Sequence, residues 1–229
     1  MQAPSRPSRS HPRPGRPRDP KLADRRRKQI LRVATRVFAR QGFAKADLQV
    51  VADALGVGKG TIYRYFPSKE RLFQAAVDEV LMQMRSSIDA AADAHADPLD
   101  RIAAALRAYL QFFHDHPQYV ELLILERAVC KDRRKPAYYL YREQNAEGWR
   151  ELYRGLIRDG RIRDTPVDRI RDMIGDLIYG TMFTNHVARR DRSLIEQAEE
   201  IVDLVFLGLL TPAERARRRA SNNGSEGHP

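Results

Sequence analysis

The run from Leu48 to Phe66, LQVVADALGVGKGTIYRYF, constrains this chain more than any other stretch. Val51 and Leu55 put an apolar edge on a short helix, and Ala52 between them is small enough for a second helix to come close. Gly56 admits a left-handed turn that a β-carbon would oppose. Val57 fills the corner, and Ile62 with Phe66 gives the second helix a buried face. Apolar, small, apolar, glycine, apolar and, five residues on, apolar again is the order of a helix-turn-helix, whose second helix enters the major groove of DNA. An ordinary helical hairpin is the alternative, and the charge around the run argues against it.

The 229 residues carry a net charge of +11, unevenly spread. Residues 1–72 hold 18 Lys and Arg against 5 Asp and Glu, and the remainder holds 23 against 25. Clustered cations gain affinity for a polyanion by releasing its condensed counterions, so nucleic acid is the expected partner and an anionic membrane surface the competing one. Charges interrupt every apolar run before the roughly 18–20 residues of a membrane span, so no membrane crossing is expected. The N-terminus lacks the apolar stretch of a secretory signal, and a single cysteine, Cys130, suits a reducing compartment. The expected location is cytoplasmic. No Gly-rich phosphate loop, G-x-S-x-G, H-E-x-x-H or paired-cysteine pattern occurs, so neither an enzyme nor a cofactor is expected.

Apolar residues recur with helical rather than alternating spacing, which predicts an all-α chain of about nine helices. Residues 1–18, rich in Pro and Arg with no acid, read as a disordered basic arm. Residues 19–67 read as the helix-turn-helix domain, residues 68–211 as a helical ligand-binding and dimerisation domain, and residues 212–229 as a disordered tail. Asp19-Pro20, Asp97-Pro98 and Thr165-Pro166 look like a capping residue followed by a proline at the first helical position. A single helix is expected over 136–158.

From Gly42 to Phe73 the chain resembles the N-terminal domain of the tetracycline-repressor (TetR) family of bacterial regulators, on Gly42-Phe43 and then VADALGVGKGTIYRYFPSKERLF. The resemblance implies a three-helix DNA-binding domain joined by a long fourth helix to a larger helical domain. It also implies a homodimer on double-stranded operator DNA, usually repressing until a small-molecule effector alters the separation of its reading heads. It assigns Lys59 to Phe66 to the major groove. With Ile62 and Phe66 turned inward, Lys59, Thr61, Tyr63 and Arg64 offer cations and hydroxyls to phosphates or base edges, and Gly60 lets the backbone approach. Tyr65 is expected to reach a phosphate, Lys69 matches a lysine that contacts the DNA backbone, and Gln49 matches a position from which a base is reached. Two positions depart from the family pattern. Asp47 stands where a hydroxyl residue is common, able to cap a helix but repelling phosphate, and Gly58 replaces a common serine cap.

Arg25, Arg26, Arg27 and Lys28 cannot all face DNA, and a solvated basic face explains them equally well. In the arm, Pro14-Gly15-Arg16-Pro17-Arg18 resembles a minor-groove AT-hook core, against the plainer reading of a non-specific basic arm. Toward the C-terminus, broad apolar stripes on the last two long helices are expected to pair with a second copy, Gly175, Gly180 and Gly208 allowing close approach; completing the monomer core is the alternative. Tyr109, Phe112, Phe113, Tyr138, Trp149, Tyr153, Phe183 and His186 are the candidate lining of a pocket for a hydrophobic or aromatic ligand. His114-Asp115-His116 is too short for a metal site, and none is expected. Cys130, between Arg127 and Lys131, has the cationic neighbours of a redox sensor, but a lone thiol is more often incidental.

Overall fold

The structure, a computed structural model, describes residues 20–130 and 135–225. The Asp19 cap, the basic arm with its Gly-Arg-Pro core, and Lys131 lie outside the described residues. The helices are α1 (Pro20–Lys45), α2 (Leu48–Asp53), α3 (Lys59–Tyr65), α4 (Lys69–Asp93), α5 (Pro98–Asp115), α6 (Pro117–Val129), α7 (Ala137–Gln144), α8 (Glu147–Arg158), α9 (Val167–Ala188), α10 (Leu194–Leu209) and α11 (Pro212–Ser225). Among the described residues the only extended pairing is one antiparallel bridge between Ile162 and Leu210. The all-α class expected from the spacing is the class observed.

Local capping explains where most helices begin. Asp47, Ser68, Asp97 and Ser193 each accept a hydrogen bond from a backbone N–H in the first turn of α2, α4, α5 and α10, satisfying donors that have no partner within the helix. Thr165 does not act this way. Pro166, with ψ at 122°, is itself the residue before α9, and no side chain caps that helix.

The stretch expected as one helix over 136–158 is two. Asn145 leaves the helical region at φ −107°, ψ 21°; its amide donates to the Tyr141 carbonyl at 2.8 Å, and Arg85 Nη1 donates to its own carbonyl at 3.2 Å. An Asn side chain competes with the helix for backbone partners, and here it turns the chain between α7 and α8.

The residues from Pro212, expected as a disordered tail, are helical as far as Ser225. The cause is an ion cluster that composition does not reveal. Glu214 is only 5% exposed and accepts from Arg161 Nη2 and Arg217 Nη2, both at 2.9 Å. Arg161 Nη2 also donates to Asp97 Oδ2 at 2.8 Å, and the Arg218 guanidinium bonds Asp100 and lies 5.4 Å from the centre of the Phe206 ring. These bonds fasten α11 to the start of α5 and to the turn before α9. Residues 226–229 lie outside the described residues.

One core runs from Ile30 to Leu210. Its N-terminal part is a cluster of Phe38, Phe43 and Phe73, the Phe38 and Phe73 rings meeting edge to face at 5.1 Å. This cluster locks α1 to α4, which α1 packs against together with α6. At its start α4 buries Leu72 and Phe73, the latter against α1; farther along, Met84 and Ile88 line a cavity. A single rigid element thus touches both regions of interest.

Candidate nucleic-acid interface and inner cavity

The turn between α2 and α3 follows the sequence pattern closely. Val51, Ala52 and Ile62 are fully buried, Gly56 takes φ +62°, and Val57 N–H donates to the Ala52 carbonyl at 3.0 Å. With Ile62 and Phe66 inward, α3 presents Gly60, Tyr63 and Arg64 outward, Tyr63 being 43% exposed; Thr61 and Tyr65 are half-buried at its sides. Gly58 precedes α3 with no side-chain cap.

Several cations of this surface are already engaged. Lys59 Nζ lies 3.0 Å from Asp47 Oδ1, the oxygen that also accepts from Gln49 N–H at 2.8 Å. Those two bonds, the backbone one first, hold the Asp47 carboxyl below its ordinary range, and the same pairing raises Lys59. Gln49 Nε2 donates to Asp53 at 2.7 Å. Lys69 Nζ donates to the Ala44 carbonyl at 3.0 Å and stands 5.0 Å from the centre of the Phe43 ring. Within the basic run on α1, Lys28 pairs with Asp24 and Arg27 lies over the Phe66 ring, while Arg25 points to solvent.

Residues of α4, α5, α7, α8 and α9 line a cavity of about 160 Å³ that is partly open to solvent. Of the eight pocket candidates read from the sequence, Tyr109, Tyr138, Trp149 and Tyr153 line it. The other four do not. Phe113 is buried behind Tyr109, ring centres 5.2 Å apart, and Phe112 turns toward His116 and Tyr119. Phe183 is partly exposed beside Tyr179, and His186 Nε2 meets Glu121 at 3.1 Å. Position along the helix separates the two sets: Phe112 and Phe113 lie about one turn beyond Tyr109 on α5, and Phe183 and His186 more than one turn beyond Ile178 on α9, past the residues that line the cavity.

The cavity also has a polar lining that the sequence reading passed over: Arg85, Arg142, Arg171, Tyr141 and Asn145. A signal for it existed. Each arginine occupies an i, i+3, i+4, i+7 stripe: Leu81, Met84, Arg85, Ile88; Tyr138, Tyr141, Arg142, Asn145; Arg171, Ile174, Gly175, Ile178. A cation in the phase of a buried face is the mark of a polar wall. Gly175, expected at a contact between copies, is buried against Arg142 instead; a β-carbon there would stand 2.3 Å from the Arg142 Cζ. The hydroxyls of Tyr109 and Tyr138 are 3.1 Å apart. Burial pushes both phenols up, Tyr138 to about 12.

Met173, Leu177 and Val187 on α9 and Leu204 and Leu207 on α10 are exposed apolar side chains. No helix of the described residues is long and apolar enough to cross a membrane, and among those residues no three His, Cys, Asp or Glu gather as a metal site would require.

Comparison with known proteins places this architecture. Residues 30–76 match the family described as bacterial regulatory proteins, tetR family. The chain is 33% identical over 97 residues to the uncharacterized HTH-type transcriptional regulator YhgD of Bacillus subtilis, covering 42% of this chain and 51% of that protein. It is equally identical over 97 residues to the HTH-type transcriptional activator FasR of Mycolicibacterium smegmatis, covering 42% of this chain and 44% of that one. The chain therefore spans about half the length of these curated relatives. The fatty acid degradation regulator FadR from Bacillus halodurans shares the fold, with a TM-score of 0.64 at 18% identity over 78% of this chain and 96% of that one. With the helix-turn-helix built as the sequence requires and the family match centred upon it, residues 30–76 form a domain of the tetR family of bacterial regulatory proteins.

Proposed function

We propose that this chain is a DNA-binding transcriptional regulator that pairs as a homodimer on double-stranded operator DNA and is controlled by a small-molecule effector held in the inner cavity. The observation that carries the reading is the exposed flank of α3, with Tyr63 and Arg64 presented on a helix whose other side is fixed by Ile62 and Phe66. Gln49, Lys59, Gly60, Thr61, Tyr65 and Lys69 complete the proposed contact surface. Pairing through the apolar strip of α9 and α10 supports the dimer, because a helix-turn-helix reads two half-sites about one helical turn apart and needs two heads to do so. Gly180 and Gly208, with nothing near the position of a β-carbon, leave room on that face.

Control follows from α4. Its first residues, from Lys69, lie beside the reading head, and its Met84, Arg85 and Ile88 form one wall of the cavity. A ligand that favours one position of α4 shifts the population of head separations, and only one separation fits the half-sites. Release of a repressor by its effector is the proposed direction. FasR, a relative described as an activator, favours the opposite sign as the second reading. The protein is proposed to act in the cytoplasm without catalysing a reaction.

The deciding experiment selects fragments of the host genome that bind the purified protein. A shared palindromic site, bound by a dimer with affinity that falls steeply with salt, supports the reading. Failure to enrich any site would sink it, and transcription from the selected promoter with and without the protein fixes the sign.

A further inference from the structure

The cavity wall contains three guanidinium groups, Arg85, Arg142 and Arg171, and no carboxylate. The acids that pair with them stand outside: Asp89 beside Arg85, Asp172 and Asp176 with Arg142, and Asp168 with Arg171. Asp172 and Asp168 have side chains 67% and 66% exposed, whereas those of Arg142 and Arg171 are 20% and 11% exposed. A cation drawn into an apolar face is costly unless something there uses it.

Arg142 is the most firmly placed of the three. Its guanidinium occupies the space that a side chain at 175 would fill, and Nη2 donates to the Arg171 carbonyl and to Asp172, both at 2.9 Å. One turn away on α7, Tyr138 also lines the cavity, and its hydroxyl shares one hydrogen bond with that of Tyr109. The hydroxyl that accepts in that pair keeps its own proton for a third group. The Arg142 charge acts against burial on both phenols, which places its field at the hydroxyl pair. Ile102, Leu106, Ile174 and Ile178 make the remaining wall apolar. The volume, about 160 Å³, is close to the roughly 150 Å³ of an apolar cavity that admits benzene.

We infer that the cavity binds a small amphiphilic carboxylate, one ring or a short alkyl chain ending in the acid, with Arg142 meeting the carboxylate and the tyrosine pair donating beside it. The inference rests on the effector reading above and narrows it to a chemical class. Guanidinium and carboxylate match as a planar, two-bond pair, which a neutral amide cannot reproduce.

Trp149 is the only tryptophan of the chain and lines the cavity, so its emission reports occupancy directly. The full chain is titrated with phenylpropanoate, phenylbutanoate and hexanoate and, in parallel, with their primary amides, by fluorescence and by calorimetry. At least one acid is expected to bind at least about tenfold more tightly than its amide, as loss of a charge-assisted hydrogen bond predicts. Arg142→Gln should bring the acid to the level of the amide, and Arg142→Lys should restore part of the margin. Equal binding of acid and amide by the wild type overturns the inference while leaving a neutral-ligand cavity and the effector reading intact. An acid preference that survives in Arg142→Gln overturns the role of Arg142. If neither acids nor amides bind, the effector reading of this cavity fails and the inference with it. Should Arg142→Gln not fold, the wild-type comparison of acid with amide still decides the ligand class.

Discussion

The Lys59 ammonium sits 3.0 Å from Asp47 Oδ1, the same oxygen that caps α2 by accepting from Gln49 N–H. One carboxylate thus holds the first side chain of the proposed recognition helix and presents a negative charge where phosphate would approach. Asp47→Asn keeps a capping oxygen and removes the charge. Operator binding is expected to tighten, and the slope of log K against log salt to steepen by about one unit as Lys59 becomes free for a phosphate. Competition binding across a salt series checks this. An unchanged slope means that Lys59 makes no phosphate contact.

Tyr63 and Arg64 face outward on a packed helix, so their truncation changes the surface without opening the core. Tyr63→Ala and Arg64→Ala should each weaken specific binding about tenfold or more, the scale of a lost base contact of about 1–3 kcal/mol. Lys69→Ala should weaken all sequences alike and reduce the salt slope by about one unit. It should also lower the melting temperature, since Lys69 Nζ ties the start of α4 to the Ala44 carbonyl. Binding to operator and scrambled duplexes separates the two behaviours, and equal losses on both duplexes for Arg64→Ala would remove it from base reading.

The helix-turn-helix was legible because it is local. Gly56 at φ +62° and the bond from Val57 to Ala52 need only residues adjacent in the chain. Which aromatics would share a cavity was half legible, since Tyr109 and Tyr138 are brought together by packing between α5 and α7 whereas Phe113 ends one layer behind. The helix from Pro212 was illegible for a stronger reason: Glu214 is anchored by Arg161, 53 residues earlier, and no window of the tail contains that information. Arg85, Arg142 and Arg171 were legible as stripe positions, but a search for aromatic lining passes over them.

Gly175 faces the Arg142 guanidinium, and a β-carbon there would lie 2.3 Å from its Cζ. The colliding group is the far end of a flexible side chain, so Gly175→Ala should displace it rather than break the helix. Alanine gains about 1 kcal/mol over glycine in a helix interior, which offsets part of the lost bonds to Asp172 and the Arg171 carbonyl. The melting temperature should change little, while the preference of the cavity for acid over amide falls. A melting temperature lowered by more than about 10 °C, corresponding to about 3 kcal/mol in a chain of this length, would show that the backbone and not the side chain gives way.

Glu214 holds the last helix through Arg161 and Arg217, and Asp97 shares Arg161 with it. Burial raises both carboxyls, but the guanidinium bonds outweigh it and leave Glu214 below its ordinary 4.5 and Asp97 below 3.8. A depressed folded value means stability that is present above the unfolded value and lost as pH falls through the folded one. The wild type should therefore lose stability progressively below about pH 4.5, where these two acids begin to take up protons only on unfolding. Glu214→Gln should cost about 2–3 kcal/mol at neutral pH, because Arg161 and Arg217 lose a buried partner, or about 5–10 °C in melting temperature. Its stability should then depend less on pH between neutrality and acid than that of the wild type. Thermal melts of both proteins across that range test the point, and parallel pH curves would show that the cluster does not hold α11 through its charge.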